Sequence, residues 1–298
     1  MTAEQRQNLE AMLRTGPLNL EADLASQRET FEQMMASLAL PEDVQTSAVE
    51  LGGISAIDVR IRGAADAATI FYLHGGAYVM GSAQSSRGLA SDIARRVGAR
   101  ALTIDYRLAP EHPFPAALDD ITVAYRALIE DVDPSSVVFV GESAGGGLVL
   151  AALIALRDDS VPLPAAAAVF SPFADLTLSG ASIEGKAAAD PVLTEAGLRL
   201  RGGQYVGITD AASPHISTVF ADFSGLPPLL VQVGSREVLL DDAVRIAERA
   251  AAADVGVRLE VTAGVPHVFQ GFAGMLQEGD AALARAGDFL RAQLEGDF

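Results

Sequence analysis

The chain has 298 residues, of which 50% are hydrophobic and 20% charged, and it carries a formal net charge of −18 and no cysteine. This length suits one large α/β domain, or a core domain with a small lid, and the absence of cysteine excludes disulfides, thiolate catalysis and cysteine-ligated metal. The negative charge argues against nucleic acid and anionic membrane surfaces as partners, since both repel an acidic protein.

Residues 1–40 predict two helices and no strand. Apolar side chains recur at helical spacing on both sides of a break at Gly16-Pro17. The stretch 1–10 is polar and lacks the basic and apolar regions of a signal peptide, and no apolar run approaches the ~20 residues of a membrane span. We therefore expect a cytoplasmic protein that does not act at a membrane.

Strands and helices alternate through the rest of the chain. Gly52-Gly53 joins the first two predicted strands as a hairpin. The alternation favours an α/β fold with a mostly parallel sheet covered by helices on both faces. The stretch 175–220 interrupts it with helical patches and no strand, so we expect this stretch and residues 1–40 to form a cap over a single domain spanning 1–298. The predicted strands are 44–51, 54–61, 69–73, 101–104, 137–140, 166–170, 229–233 and 257–261, and the predicted helices include 87–97, 116–130 and 241–253.

The most informative motif is Gly141-Glu142-Ser143-Ala144-Gly145, which lies between the apolar stretches 137–140 and 146–156. Strand, sharp turn and helix form the context in which a G-x-S-x-G sequence acts as a nucleophile elbow. Glycines on both sides of the serine permit a strained turn that a Cβ would obstruct. We therefore predict that Ser143 is a catalytic nucleophile, which requires a general base, an orienting acid and an anion hole.

The general base is predicted to be His267. Where this elbow occurs, the acid and then the histidine follow the serine in chain order. His267 lies in the loop after the predicted strand 257–261, at the end of the sheet where a base would stand over the serine.

Three carboxylates after the predicted strand 229–233 compete for the role of orienting acid. Asp241 and Asp242 begin a predicted helix, where aspartate is favoured for structural reasons. Glu237 lies in the loop itself, where no structural role demands it. Because the acid must accept a hydrogen bond from Nδ1–H of the histidine, we favour Glu237, with Asp241 as the second candidate.

The anion hole is predicted from the loop His74-Gly75-Gly76-Ala77, which follows the predicted strand 69–73. This loop matches an HGGG-type sequence except for alanine at its fourth position. We expect the backbone N–H groups of Gly75 and Gly76 to bind the oxyanion, joined by the N–H of Ala144 after the serine. His74 is expected to brace this loop rather than to act as a base.

Together these residues resemble the hormone-sensitive-lipase-like esterases, the bacterial family IV of the α/β-hydrolase fold. The similarity runs from about residue 67 to the C-terminus, and its most specific segment is 105–116, with two closely spaced X-Pro turns. The resemblance implies a carboxylic ester hydrolase with a small helical cap, which acts on short acyl chains or compact esters and needs no metal or cofactor. Other matching segments are 74–76, 141–146, 190–194, 225–228 and 266–267.

Two residues depart from the family pattern, and other functions stay open. The family acid is usually aspartate, whereas this chain has Glu237. Glu142 stands where aspartate is more common beside the serine, which we interpret as a structural substitution.

The same chemistry would suit a lactonase or, less well, an amidase. A receptor on the same fold, like the plant gibberellin receptors, would lack the catalytic histidine, so Ser143 and His267 favour an enzyme. The resemblance also leaves open a homodimer formed through a sheet edge.

Overall fold

The computed structural model describes residues 2–64 and 67–296, so residues 1, 65–66 and 297–298 of the predicted domain and cap lie outside the described residues. The strands are β1 (Val44–Leu51), β2 (Ile54–Ile61), β3 (Thr69–Leu73), β4 (Arg100–Ile104), β5 (Val137–Glu142), β6 (Ala166–Phe170), β7 (Leu229–Gly234) and β8 (Val257–Thr262). The helices are α1 (Thr2–Arg14), α2 (Leu24–Ala36), α3 (Arg87–Val97), α4 (Ala116–Leu128), α5 (Ala144–Asp158), α6 (Ser182–Gly185), α7 (Glu195–Val206), α8 (Leu240–Ala252) and α9 (Gln277–Glu295). Short 3-10 helices cover Pro134–Ser136, Thr218–Phe220 and Phe269–Phe272.

One sheet contains these strands, in the order β1-β2-β4-β3-β5-β6-β7-β8. The pairs β1–β2 and β2–β4 are antiparallel, and the remaining neighbours are parallel. Gly52 and Gly53 turn β1 into β2 with φ values of +59° and +87°, a backbone region open to glycine. The predicted α/β architecture with a mostly parallel sheet is confirmed. Strands β1 and β8 form its edges.

Strand β3 shows how the core is divided between the two faces of the sheet. Ile70 and Tyr72 pack with side chains of α3 and α9 on one face. Phe71 and Leu73 point to the opposite face and belong to the core cluster that includes side chains of α4 and α5. A strand buried on both faces reads as a continuous apolar run rather than an alternating one, which explains the sequence of β3.

The N-terminal helices pack against the segment 175–220. The Arg14 guanidinium donates to the Ala188 carbonyl at 3.1 Å, and the Thr194 hydroxyl donates to the Glu21 carboxylate at 2.9 Å. Within the described residues this segment contains α6, α7 and a 3-10 helix but no strand, as the sequence predicts. No helix in the described ranges combines the length and the apolar composition needed to cross a membrane.

Helix α9 was not among the predicted elements, yet it covers one face of the sheet. Leu283 and Leu290 are fully buried there and pack with α3 and with the strands at the centre of the sheet. Most of the remaining buried face of α9 is alanine and glycine, which allows the helix to approach α3 closely.

The substitution Leu290→Ala tests this packing. We expect it to lower the free energy of unfolding by about 2–5 kcal/mol, because it removes a buried side chain and leaves a cavity. Leu200→Ala on α7 is the matched control: its side chain is 43% exposed, and an exposed position is expected to change stability by roughly 0.5 kcal/mol or less. Denaturant unfolding measures both, and equal effects would contradict the place of α9 in the core.

Candidate active site

Ser143 occupies the sharp turn between β5 and α5, with φ +54° and ψ −121°. A non-glycine residue held in this region is strained, and it persists only where the surroundings over-determine it. A Cβ at Gly141 would lie 2.5 Å from the Gly145 carbonyl oxygen, and a Cβ at Gly145 would lie 2.1 Å from the Leu73 carbonyl oxygen. Both positions therefore require glycine, and the turn presents the serine at the carboxyl end of the sheet.

The structure brings three of the predicted side chains into one continuous line of hydrogen bonds. His267 Nε2 lies 2.9 Å from Ser143 Oγ, and His267 Nδ1 lies 2.8 Å from Glu237 Oε2. With its proton on Nδ1, the imidazole donates to Glu237 and accepts from the serine hydroxyl. Glu237 is fully buried and His267 is nearly so, which strengthens the electrostatic interaction between them.

The environment of His267 favours its protonated form. Burial alone lowers the pKa of the imidazole, because it disfavours the charged form. The hydrogen bond to Glu237 and the negative charge of that carboxylate act in the opposite direction and outweigh burial, so the pKa of His267 is raised above its ordinary value of 6.5. An imidazolium formed during a reaction would therefore be stabilised in place.

The other two carboxylates considered for the acid lie elsewhere. Asp241 Oδ2 accepts the Ser182 N–H at 2.8 Å, at the start of α6. Asp242 Oδ2 accepts the N–H groups of Ala174 and Asp175, each at 2.9 Å. Among the described residues, Glu237 supplies the carboxylate that is hydrogen-bonded to the histidine.

Two further groups hold Glu237 in position, and sequence reasoning missed both. Its Oε1 accepts the Ser171 hydroxyl at 2.7 Å and the Gly234 N–H at 2.5 Å. Ser171 Oγ in turn accepts the Val268 N–H at 3.1 Å, so one buried hydroxyl ties the acid to the residue after His267. The one sequence feature that points to Ser171 is its position directly after the predicted strand 166–170.

The loop after β3 differs in one respect from the expected anion hole. The Gly75 N–H is already engaged, since it donates to Glu142 Oε1 at 2.7 Å. Within the described residues the N–H groups of Gly76 and Ala77 donate to no acceptor. Both residues have positive φ, +117° and +53°, which turns these two N–H groups away from the ladder of β3. The N–H of Ala144 is unpaired as the first residue of α5.

His74 contacts this loop and its neighbour, not the serine. Its ring stacks on Tyr106 at 4.2 Å between centroids, and its Nδ1 lies 2.8 Å from the Gly75 carbonyl oxygen. The Tyr106 hydroxyl donates to the His74 carbonyl oxygen at 2.6 Å. Burial lowers the pKa of His74 to about 4, so the ring is neutral at physiological pH. These contacts fit the expectation that His74 braces the loop.

The arrangement supplies the parts of an acyl-transfer site: a hydroxyl, a base bonded to it, an orienting carboxylate and unpaired backbone N–H groups. Within residues 2–64 and 67–296, no group of three or more His, Asp or Glu side chains is placed to hold a metal ion.

Comparison with known proteins places the chain among ester hydrolases. The family described as alpha/beta hydrolase fold matches residues 70–271. An acetyl-hydrolase of Streptomyces hygroscopicus is 46% identical over 227 residues, 76% of each chain. An esterase of Acinetobacter venetianus is 34% identical over 285 residues, 94% of this chain and 93% of its own. The crystal structure of an esterase from the bacterial hormone-sensitive lipase family is 43% identical, covers 98% of both chains and has a TM-score of 0.94.

These similarities extend over both the sheet and the segments above it, and the relatives are named for ester hydrolysis rather than for lactone opening or signal binding. The resemblance predicted from the sequence motifs is therefore confirmed. The chain belongs to the α/β-hydrolase fold family and, within it, to the hormone-sensitive-lipase-like carboxylic ester hydrolases.

Proposed function

We propose that this hydrolase cleaves short-chain or compact carboxylic esters through an acyl-enzyme formed on Ser143. The observation that carries the proposal is the line of hydrogen bonds from Ser143 through His267 to Glu237, at 2.9 and 2.8 Å. Geometry of this kind, rather than sequence position, identifies a serine triad. The acetyl-hydrolase name of the Streptomyces relative supports a small acyl group.

In this mechanism Ser143 Oγ attacks the ester carbonyl carbon while His267 Nε2 takes the hydroxyl proton. Glu237 holds the imidazole in the required tautomer and stabilises the imidazolium. The tetrahedral intermediate then collapses, and the alcohol leaves with the proton from His267. Water attacks the acyl-enzyme by the same two steps, releasing the acid and restoring the serine hydroxyl.

For the oxyanion we assign the N–H groups of Gly76, Ala77 and Ala144 as donors. Gly76 and Ala144 follow from the sequence, and Ala77 replaces Gly75, because the Gly75 N–H already bonds to Glu142. Loss of one such donor typically raises the barrier by roughly 3 kcal/mol, so the placement of this backbone matters as much as the triad.

We further propose that residues 1–40 and 175–220 act as a cap that limits the size of the substrate. Arg28 of α2 donates through Nε to the Val79 carbonyl at 2.7 Å, two residues beyond Ala77. Tyr205 of α7 stacks on Tyr78 at 4.2 Å between ring centroids. Both parts of the cap therefore contact the two residues that directly follow the proposed oxyanion loop, which supports a cap close to the serine that favours compact esters over long acyl chains.

The substitution Ser143→Ala tests the nucleophile. We expect the variant to fold normally and to lose turnover by a factor on the order of 10⁴–10⁶, since the remaining site lacks a nucleophile. Hydrolysis of p-nitrophenyl esters from two to sixteen carbons measures this, with wild type beside the variant. A short-chain optimum that disappears in the variant is the expected result, and comparable turnover by both proteins would contradict the mechanism.

Glu237→Gln and Asp241→Asn separate the two candidate acids. We expect Glu237→Gln to lower kcat by about 10²–10⁴, because an amide cannot stabilise the imidazolium. The acidic limb of kcat/KM should also move to lower pH, since the Glu237 charge raises the pKa of His267 and its removal lets that pKa fall. Asp241→Asn should stay within a few fold of wild type. The reverse order of losses would transfer the role to Asp241.

The hydroxyl of Ser171 is expected to contribute through Glu237. Ser171→Ala removes one of the bonds to Oε1 and frees the Val268 N–H, so we expect kcat to fall roughly 3–30-fold with little change in KM. Ser91→Ala is the control, because Ser91 is equally buried in α3 and, in the part of the chain that the structure describes, its hydroxyl donates to the Gly88 carbonyl alone. Steady-state kinetics of both variants decides, and equal kcat values would show that the Ser171 bond does not act on the triad.

A further inference from the structure

Glu142, the residue before the serine, directs its carboxylate to the oxyanion loop rather than to solvent. It is the last residue of β5, and its Oε1 accepts the Gly75 N–H at 2.7 Å. Its Oε2 accepts the Tyr72 hydroxyl at 2.5 Å. Tyr72 belongs to β3 and Gly75 follows that strand by two residues, so one carboxylate bridges the strand and the loop that it leads into.

The loop lies directly against the elbow at this point. A Cβ at Gly75 would lie 3.0 Å from the Glu142 carbonyl oxygen and 3.1 Å from Ser143 Cβ. The Gly75 peptide is therefore enclosed between the Glu142 side chain and the serine. The Gly75 N–H belongs to the peptide unit directly before the two that carry the N–H groups of Gly76 and Ala77. The second of those two units is held from the other side, because the Gly76 carbonyl accepts the Val79 and Met80 N–H groups at 3.0 Å each. The bond from Gly75 to Glu142 therefore anchors the start of the loop, and the bonds to the Gly76 carbonyl anchor its end.

A carboxylate is a costly choice for this position. Burial raises the pKa of Glu142 to about 7, while the hydrogen bonds from Tyr72 and the Gly75 N–H, together with the charge on His267, act to lower it. Among the described residues it forms no ion pair with an arginine or lysine. An apolar side chain of similar size would avoid this desolvation, so stability alone does not explain the residue.

We propose that Glu142 is a positioning residue for ester hydrolysis: by accepting the Gly75 N–H, it aims the N–H groups of Gly76 and Ala77 at the developing oxyanion. This inference rests on the proposed function and adds a residue to it. Glu142 need not touch the substrate, because it acts through the loop backbone. A carboxylate is suited to the task, since a charge-assisted hydrogen bond is roughly twice as strong as a neutral one.

Glu142 also acts on the base through its charge. Groups that can titrate face it from three sides: Tyr72 of β3, Tyr106 after β4 and His267 after β8. The negative charge of Glu142 raises the pKa values of all three.

Three carboxylates act on the pKa of His267. The carboxylates that raise its pKa are Glu237, Asp190 and Glu142, and Glu237 has the largest effect of the three. Removing the Glu142 charge while keeping Glu237 should therefore lower the pKa of His267 by a smaller amount. The acidic limb of kcat/KM would then move to lower pH, a change that a purely structural brace would not produce.

Glu142→Leu and Glu142→Gln test the proposal, with p-nitrophenyl butyrate as substrate and an alkyl trifluoromethyl ketone as a mimic of the tetrahedral oxyanion. For Glu142→Leu, which offers Gly75 no acceptor, we expect kcat to fall roughly 10–100-fold with KM changed less than about threefold. Affinity for the ketone should fall by the same factor as kcat. Glu142→Gln keeps a neutral acceptor, so its loss should be intermediate, roughly 3–10-fold, and its acidic limb should move to lower pH.

Asp58→Asn is the matched control, because it neutralises a buried carboxylate of β2 that pairs with Arg60 and Arg100, away from the elbow. Its kcat and ketone affinity should equal those of wild type. Thermal unfolding of each variant reports whether it folds. If Glu142→Leu does not fold, Glu142→Gln decides: unchanged kcat, ketone affinity and pH limb overturn the proposal.

The outcomes also distinguish this inference from the function on which it rests. Ester hydrolysis that is lost in Ser143→Ala but kept at the wild-type kcat in Glu142→Leu would overturn the role of Glu142 and leave the mechanism in place. A loss in Glu142→Leu that falls entirely on KM would do the same. If wild type hydrolyses none of the esters, or Ser143→Ala hydrolyses them normally, both proposals fail together.

Discussion

The geometry of the site depends on a contact between two stretches of backbone. The elbow packs on the end of β3 so closely that a Cβ at Gly145 would lie 2.1 Å from the Leu73 carbonyl oxygen and 2.5 Å from that of His74. Ser143 and the loop after β3, the proposed nucleophile and the proposed oxyanion loop, are therefore held in one fixed relation by main-chain contact rather than by side chains that can rotate. Oxyanion stabilisation requires donors placed to within a fraction of an ångström, and a contact without side chains supplies that precision. The positive φ of Ser143 is maintained because neither neighbouring segment can move away from it.

The other side chains of the site lie near Ser143 because neighbouring parallel strands end at the same edge of the sheet. Ser171 follows β6, Glu237 follows β7 and His267 follows β8, and parallel strands lie about 4.8 Å apart. That spacing allows a side chain in the loop after one strand to hydrogen-bond to a side chain in the loop after the neighbouring strand. The hydrogen bond from the Val268 N–H to Ser171 Oγ also joins the loop after β8 to the loop after β6. Displacement of any one of these loops would therefore disturb the others.

The sequence predicted those features whose causes are local. Apolar runs and glycine pairs located the strands and the hairpin. The elbow motif together with chain order predicted a triad of Ser143, His267 and Glu237, and the structure places these three side chains in hydrogen-bonding contact. Helix α9 was not predicted because four of its six buried residues are alanine or glycine, which do not by themselves mark a buried face in a sequence. Ser171 escaped because nothing near it in the chain separates a turn serine from one bonded to a buried carboxylate. The engagement of the Gly75 N–H depends on the reach of Glu142 from another strand, which a motif does not encode.

Two buried carboxylates with different partners flank the same histidine. Glu237 bonds to the imidazole itself, where its charge favours the imidazolium that the proposed mechanism forms as the serine is deprotonated. Among the described residues, Glu142 forms no hydrogen bond to that imidazole. Its oxygens are instead occupied by the Tyr72 hydroxyl and the Gly75 N–H, and burial raises its pKa to about 7. In our proposal, Glu237 acts on the base through a direct hydrogen bond. Glu142 acts mainly on the backbone of the proposed oxyanion loop, through the Gly75 N–H, and more weakly on the base through its charge. A site that stabilises separated charges in this way needs both effects, because the imidazolium and the oxyanion form in the same step.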